Sequence, residues 1–158
     1  MQLKNKWYDY VFSAFGAAAL LAATVFLAAR WPMIAQQIPS HYDLFGQVDA
    51  WSGKGSLIVL LIVGWVIFAL LCALNLVPKI WNIPETTSDS QKENVYRLSK
   101  TLLLYVRCLV GVLFSYLVFQ GAFVRTLPGW FLPVVFICMM GGVLYFLARI
   151  FSASGIFK

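Results

Sequence analysis

One polar segment, residues 30–54, brings together several side chains that could do chemistry. It contains His41, the single histidine of the chain, and two of the six acids, Asp43 and Asp49. An imidazole and two carboxylates this close together offer the nitrogen and oxygen ligands that zinc accepts, and a bound ion would make water nucleophilic. The spacing matches no established ligand signature. We therefore expect no cofactor, and keep a divalent metal, zinc or similar, as the alternative.

The same segment also has two interpretations without a metal. In the first, Asp43 and Asp49 cap turns, His41 bonds a backbone carbonyl, and the aromatic residues seat the segment on the membrane surface. In the second, the segment is a recognition surface for a peptide or protein, and Tyr42 and Trp51 are its anchors. The residue types leave all three interpretations open.

Turn-forming residues predict how this segment folds. Pro39 favours an extended approach, and Gly46 can take the positive φ that a turn after Asp43 would need. Lys54 lies between Gly53 and Gly55, where the second helix must begin. We therefore expect a structured loop rather than a flexible linker.

Arg107 is the one charged residue inside an otherwise apolar stretch. A charge in lipid is costly and usually marks a pathway or a paired site, although a long side chain near the interface can extend to the headgroups. Asn75, towards the end of the second apolar stretch, is a plausible hydrogen-bond partner. Arg107 therefore has two readings, a residue that reaches the headgroups or one that serves coupling or transport.

The composition places these residues in a membrane protein. Hydrophobic residues make up 61% of the 158 residues and charged residues 11%, whereas charged residues are about 25% of a soluble domain. The net charge of +6 comes without a run of basic residues, so no nucleic-acid partner is expected. The three cysteines lie in separate apolar stretches and predict no disulfide framework.

Four stretches have the roughly 20 apolar residues that a helix needs to cross the hydrocarbon core. They predict a single all-α membrane domain over 1–158, with four transmembrane helices. The expected helices cover 10–29, 55–78, 90–124 and 129–148, with an outer loop at 30–54 and an inner loop at 79–100. Ser90 to Glu93 fit a capping box, so the third helix should begin near Ser90. Pro128 and Pro133 mark the start of the fourth.

The distribution of basic residues predicts the orientation. Cytoplasmic connections carry the excess of Lys and Arg. With the N-terminus inside, the inner side would hold Lys4, Lys6, Lys79, Lys92, Arg97, Lys100, Arg149 and Lys158, and the outer side Arg30, Lys54 and Arg125. We therefore expect both termini in the cytoplasm, the loop at 30–54 outside, and a multi-pass protein of the cell inner membrane.

The polar segment resembles the domain of unknown function found in SdpI-type bacterial membrane proteins, which are related to an immunity protein against a sporulation-delaying toxin. The resemblance rests on two runs that end at Lys54, Ile38-Pro39-Ser40-His41-Tyr42-Asp43 and Gly46-Gln47-Val48-Asp49-Ala50-Trp51. Lys92-Glu93-Asn94 is similar to the family's inner-loop segment. The larger members have further helices that this chain lacks. The resemblance implies a bacterial protein associated with immunity or signalling, without a defined reaction.

Three functions follow as expectations. The first is an immunity, signalling or accessory factor that binds a peptide or membrane-protein partner through the outer loop. The second is a metal-dependent membrane enzyme that uses His41, Asp43 and Asp49. The third is a small transporter or channel with Arg107 on its pathway, which four helices would support only as a homo-oligomer. The chain has no phosphate loop, HExxH or GxSxG motif, which favours a protein that is not an enzyme.

Overall fold

The computed structural model describes residues 4–86 and 88–155 of the chain. Four long helices dominate it, in chain order α1 (Trp7–Arg30), α2 (Ser56–Leu76), α3 (Asp89–Ala122) and α4 (Phe131–Ser154). Each is long and apolar enough to cross a membrane. The prediction of four spanning helices agrees with this, while Lys158, used in the charge argument, lies outside the described residues.

The helices form an antiparallel bundle around α3, which packs against each of the other three. At one end of the bundle α1 meets α2 through the segment at 31–55, and we call this the hairpin end. The opposite end, where α1 and α3 begin and α2 ends, is the base end. The helices α1 and α3 approach closely at Gly16 and Gly111, where a Cβ on Gly111 would overlap the Gly16 carbonyl. Small residues at such crossings let helices in lipid pack closely.

Buried apolar side chains fill the half of the bundle nearer the hairpin end. Leu20, Ala23 and Val118 are completely buried, and Leu57 is almost so. Ile34 and Ile38 of the connecting segment pack into the same core. The connecting segment is therefore part of the folded domain.

The chain is mostly helical, as predicted, and the connecting segment, for which a structured loop was predicted, contains β-structure. It forms a two-stranded antiparallel hairpin of β1 (Gln37–Tyr42) and β2 (Val48–Gly53). The register pairs Pro39 with Trp51 and His41 with Ala50, and it is irregular on both sides of His41. Such β-bulges re-aim side chains at the point where they interrupt a ladder.

The helix ends differ from the predicted ones by a few residues at most positions. Ser88, rather than Ser90, caps α3, because its hydroxyl accepts from the Gln91 N–H while the Gln91 side chain accepts from the Ser88 N–H. The helix α4 continues to Ser154, six residues past the predicted end. Within α4, Ile137–Gly141 is a π-helical turn, and the Tyr105 hydroxyl donates to the Cys138 carbonyl at 2.7 Å.

Candidate functional site

The tip of the hairpin is built by Asp43 and Gly46, as the turn-forming residues predicted. The Asp43 carboxylate accepts from the N–H groups of Phe45 and Gln47, both at 2.8 Å. Gly46 follows with a φ of +80°, a conformation that side chains with a Cβ rarely adopt. Asp43 therefore serves its own turn.

The tip is attached to the connector between α3 and α4. The Leu127 N–H donates to the Gly46 carbonyl at 2.9 Å, and a Cβ on Gly46 would overlap the Leu127 carbonyl oxygen. The Tyr42 hydroxyl donates to the Arg125 carbonyl at 3.2 Å. Partial burial raises the pKa of Tyr42 above its usual value of 10.0, and the nearby Tyr116 adds to this. The phenol therefore stays protonated and able to donate.

The other end of the hairpin is attached through Lys54. Its Nζ donates to the Trp31 carbonyl at 3.1 Å and lies 4.8 Å from the centre of the Trp31 ring. A cation over an indole face is attracted by the ring's electrons. The Lys54 N–H also donates to the Gln36 carbonyl. The hairpin is thus attached to the bundle at its tip and at the end near Lys54.

The outward side of the hairpin carries a set of groups that the bundle leaves exposed. His41 Nδ1 lies 2.6 Å from Asp49 Oδ1, and their side chains are 69% and 46% exposed. Leu44, Phe45 and Trp51 are 86%, 78% and 54% exposed. We call these five residues the hairpin face. Pro39, by contrast, is buried.

The structure separates the three residues of the metal hypothesis. His41 and Asp49 are in contact, while the Asp43 carboxylate accepts two backbone N–H groups of the turn. Among the described residues there is no group of three His, Cys, Asp or Glu side chains positioned to hold a metal ion. A metal here would have only the His41–Asp49 pair as protein ligands, fewer than the three typical of catalytic zinc.

A second polar site lies between α1, α2 and α3, near the base end. Arg107 is buried, with 7% of its surface exposed. Its Nη2 donates to the Ser13 hydroxyl and its Nη1 to the Cys72 sulfur at 3.0 Å. The guanidinium also lies 5.2 Å from the centre of the Phe68 ring. Arg107 thus joins three helices.

An ion pair lies on the base-end side of Arg107. Lys100 Nζ is 3.0 Å from Asp9 Oδ2, and the two side chains are only 11% and 5% exposed. Asn5 accepts a further hydrogen bond from Lys100. The Ser13 hydroxyl donates to the Asp9 carbonyl at 2.6 Å. We call the set of Asp9, Ser13, Cys72, Lys100 and Arg107 the Arg107 cluster.

Several buried polar atoms in and beside this cluster have no hydrogen-bond partner among the described residues. They are Asp9 Oδ1, Asn75 Oδ1, Arg97 Nη1 and Arg107 Nε. The predicted bond between Arg107 and Asn75 therefore does not form. Asn94, the other polar residue singled out on sequence grounds, is exposed on the first turns of α3.

Comparison with known proteins links the hairpin, but not the whole chain, to a family. Residues 18–67 match the model of a domain of unknown function (DUF1648). No curated protein and no solved structure matches the chain. The matched region runs from the middle of α1 through the hairpin into α2, so it contains all the outer-loop residues on which the resemblance rests.

Sequence reasoning missed most of the Arg107 cluster. Asp9 and Ser13 are four residues apart and so share one face of α1, and Asn5 precedes that helix by two residues. Lys100 and Arg107 are seven residues apart and share a face of α3. This helical spacing was the sequence signal from which the cluster could have been predicted. It was overlooked because Asp9 precedes the apolar stretch and Lys100 was counted only as a charge that sets orientation.

Proposed function

We propose that this chain is a non-enzymatic membrane protein that binds a peptide or protein partner through the hairpin face. The observation that supports this most directly is the combination of a fixed hairpin and exposed large side chains. Gly46, Tyr42 and Lys54 attach the hairpin to the bundle, so the hairpin face is held in place before any partner arrives. Preorganised aromatic groups lose little entropy on binding, and tryptophan and tyrosine are common anchors of interfaces.

The charge distribution supports an outward position for this face. Of the described basic residues, Arg30, Lys54 and Arg125 lie near the hairpin end, and most of the others lie near the base end. Because cytoplasmic connections carry the excess of basic residues, we infer that the hairpin end faces away from the cytoplasm and that both termini face it. From the resemblance to SdpI-type proteins, we further propose a role in immunity, signalling or an accessory function in a bacterial inner membrane.

Photo-crosslinking in the native cells tests the proposal. A photoreactive phenylalanine analogue replaces Leu44, which is 86% exposed, and leaves Trp51 in place as the anchor. We expect one discrete polypeptide adduct, which Trp51→Ala reduces several-fold. The matched control places the same analogue at Val59, which is 61% exposed on α2 and should give lipid adducts. Lipid adducts alone at both positions would refute partner binding by the hairpin.

The role in immunity is tested separately. A deletion strain is exposed to peptide toxins made by cells of the same strain. It carries either no plasmid or a plasmid that encodes the wild-type protein or Trp51→Ala. We expect the wild type to restore survival and Trp51→Ala to fail at equal membrane abundance. Equal survival of all strains would remove immunity from the proposal while leaving partner binding to the crosslinking result.

A transport pathway through one copy of the chain finds less support. On the hairpin side of Arg107, α1 and α3 approach closely at Gly16 and Gly111. Beyond this contact, towards the hairpin end, Leu20, Ala23 and Val118 are completely buried. A route across the membrane would therefore have to form between copies of the chain, as the homo-oligomer hypothesis requires.

A further inference from the structure

The Arg107 cluster contains more positive charge than the described residues neutralise. Asp9 is its one acid, and Lys100 already pairs with it at 3.0 Å. The partners of the Arg107 guanidinium are a hydroxyl, a sulfur and an aromatic ring, none of which is a carboxylate. A buried charge without a counter-charge is strongly unfavourable. Among the described residues, Arg107 is thus a buried cation without a counter-ion.

Arg107 also has hydrogen-bonding capacity to spare. A guanidinium has five N–H donors, and the buried Nε–H of Arg107 has no acceptor among the described residues. Guanidinium groups pair best with the paired oxygens of carboxylates and phosphates. The unused donor therefore indicates an oxygen anion.

The depth of the cluster indicates the direction from which an anion would arrive. At 1.5 Å per residue, Arg107 lies about 22 Å from the hairpin end of α3, and Lys100 about 33 Å. In a hydrocarbon core about 30 Å thick, Lys100 is then at the base-end boundary and Arg107 is within an arginine's reach of it. The buried apolar core blocks access from the hairpin end. The anion must enter from the base-end headgroup layer.

We propose that the Arg107 cluster is an anion site that binds one phosphate group at the base-end surface of the membrane. The phosphate would be either inorganic phosphate or the headgroup of an anionic lipid, because both offer the same oxygens to the guanidinium. Its negative charge would neutralise Arg107. This inference does not depend on partner binding at the hairpin, which lies at the opposite end of the bundle.

Thermal unfolding of the purified full chain in an uncharged detergent tests the site. At constant ionic strength, we expect inorganic phosphate or added phosphatidylglycerol to raise the unfolding midpoint, and phosphatidylcholine to leave it unchanged. Arg107→Gln should weaken the apparent affinity about tenfold or more, which is the loss expected for one charged hydrogen-bonding partner. The control Arg149→Gln removes an exposed basic residue of α4 and should retain wild-type affinity.

The two anion sources and a folding defect are distinguished by further arms. Stabilisation by phosphatidylglycerol alone identifies a lipid headgroup, and stabilisation by both ligands identifies a phosphate site open to either. If Arg107→Gln does not fold, Arg107→Lys replaces it as a variant that keeps the positive charge. Line broadening in phosphorus NMR on the wild type also reports phosphate binding directly. No stabilisation and no broadening by either ligand, or equal affinity in Arg107→Gln, would overturn the proposal.

Discussion

At the scale of single residues, the turn at the hairpin tip depends on Asp43 and Gly46. Gly46 combines a φ of +80° with direct contact to the Leu127 backbone. Asp43 supplies the acceptor for two N–H groups in the same turn. These two residues could be predicted from sequence, because turn chemistry is local. The attachment to Leu127 could not, since it joins residues about eighty positions apart.

Replacing Gly46 with alanine should detach the hairpin tip. The left-handed backbone and the overlap with Leu127 should together cost about 1 to 3 kcal/mol of unfolding free energy. Chemical denaturation in detergent measures this change. Gly55→Ala is the matched control, because a Cβ at Gly55 has no neighbour within 4 Å. An equal loss in both variants would show that the tip contact contributes nothing.

Tyr42 should make the stability of the protein depend on alkaline pH. Burial raises the pKa of the folded-state phenol above 10.0, the value expected in the unfolded chain. The folded state then keeps its proton where the unfolded state loses it, so stability is full below pH 10 and falls as the pH rises further. Unfolding midpoints from pH 8 to 11 should decline less steeply in Tyr42→Phe. Parallel curves would contradict this role.

At the scale of elements, α3 organises the bundle, and its backbone approaches that of α1 closely. A Cβ on Gly111 would overlap the backbone of Gly16. Overpacking such a contact typically costs about 1 to 3 kcal/mol. We expect Gly111→Ala to lower the unfolding midpoint and Gly129→Ala, where a Cβ has open space, to leave it unchanged. A stable Gly111→Ala protein would mean that α1 and α3 are not held this closely.

The helices were the most predictable elements, and the hairpin was the least. Uninterrupted apolar stretches define spanning helices because lipid offers the backbone no other hydrogen-bond partner. The helix ends were less certain: Ser88 and Ser90 both precede suitable capping partners, and only the structure selects Ser88. The strands were missed because β1 contains Pro39 and lacks a clear alternation of polar and apolar residues.

At the scale of the whole molecule, the chain has polar features at opposite ends of an apolar bundle. The hairpin face is exposed and fixed at one end, and the Arg107 cluster is buried near the other. The first could be located from sequence because its unusual residues are consecutive. The second depends on side chains from three helices, and a one-dimensional pattern shows such a site only as separate, weak periodicities.

The position of the hairpin face relative to the bilayer tests its proposed recognition role most directly. With the native cysteines replaced by alanine, a nitroxide spin label is attached to Trp51→Cys in lipid vesicles, and to Val59→Cys on α2 as the lipid-facing control. If the hairpin face is a recognition surface, the label at 51 is accessible to a water-soluble nickel relaxant and poorly accessible to oxygen, and the label at 59 shows the reverse. The same lipid-like pattern at both positions would contradict the recognition role of the hairpin face. The aromatic residues would then anchor the hairpin in the membrane and could not present it to a partner.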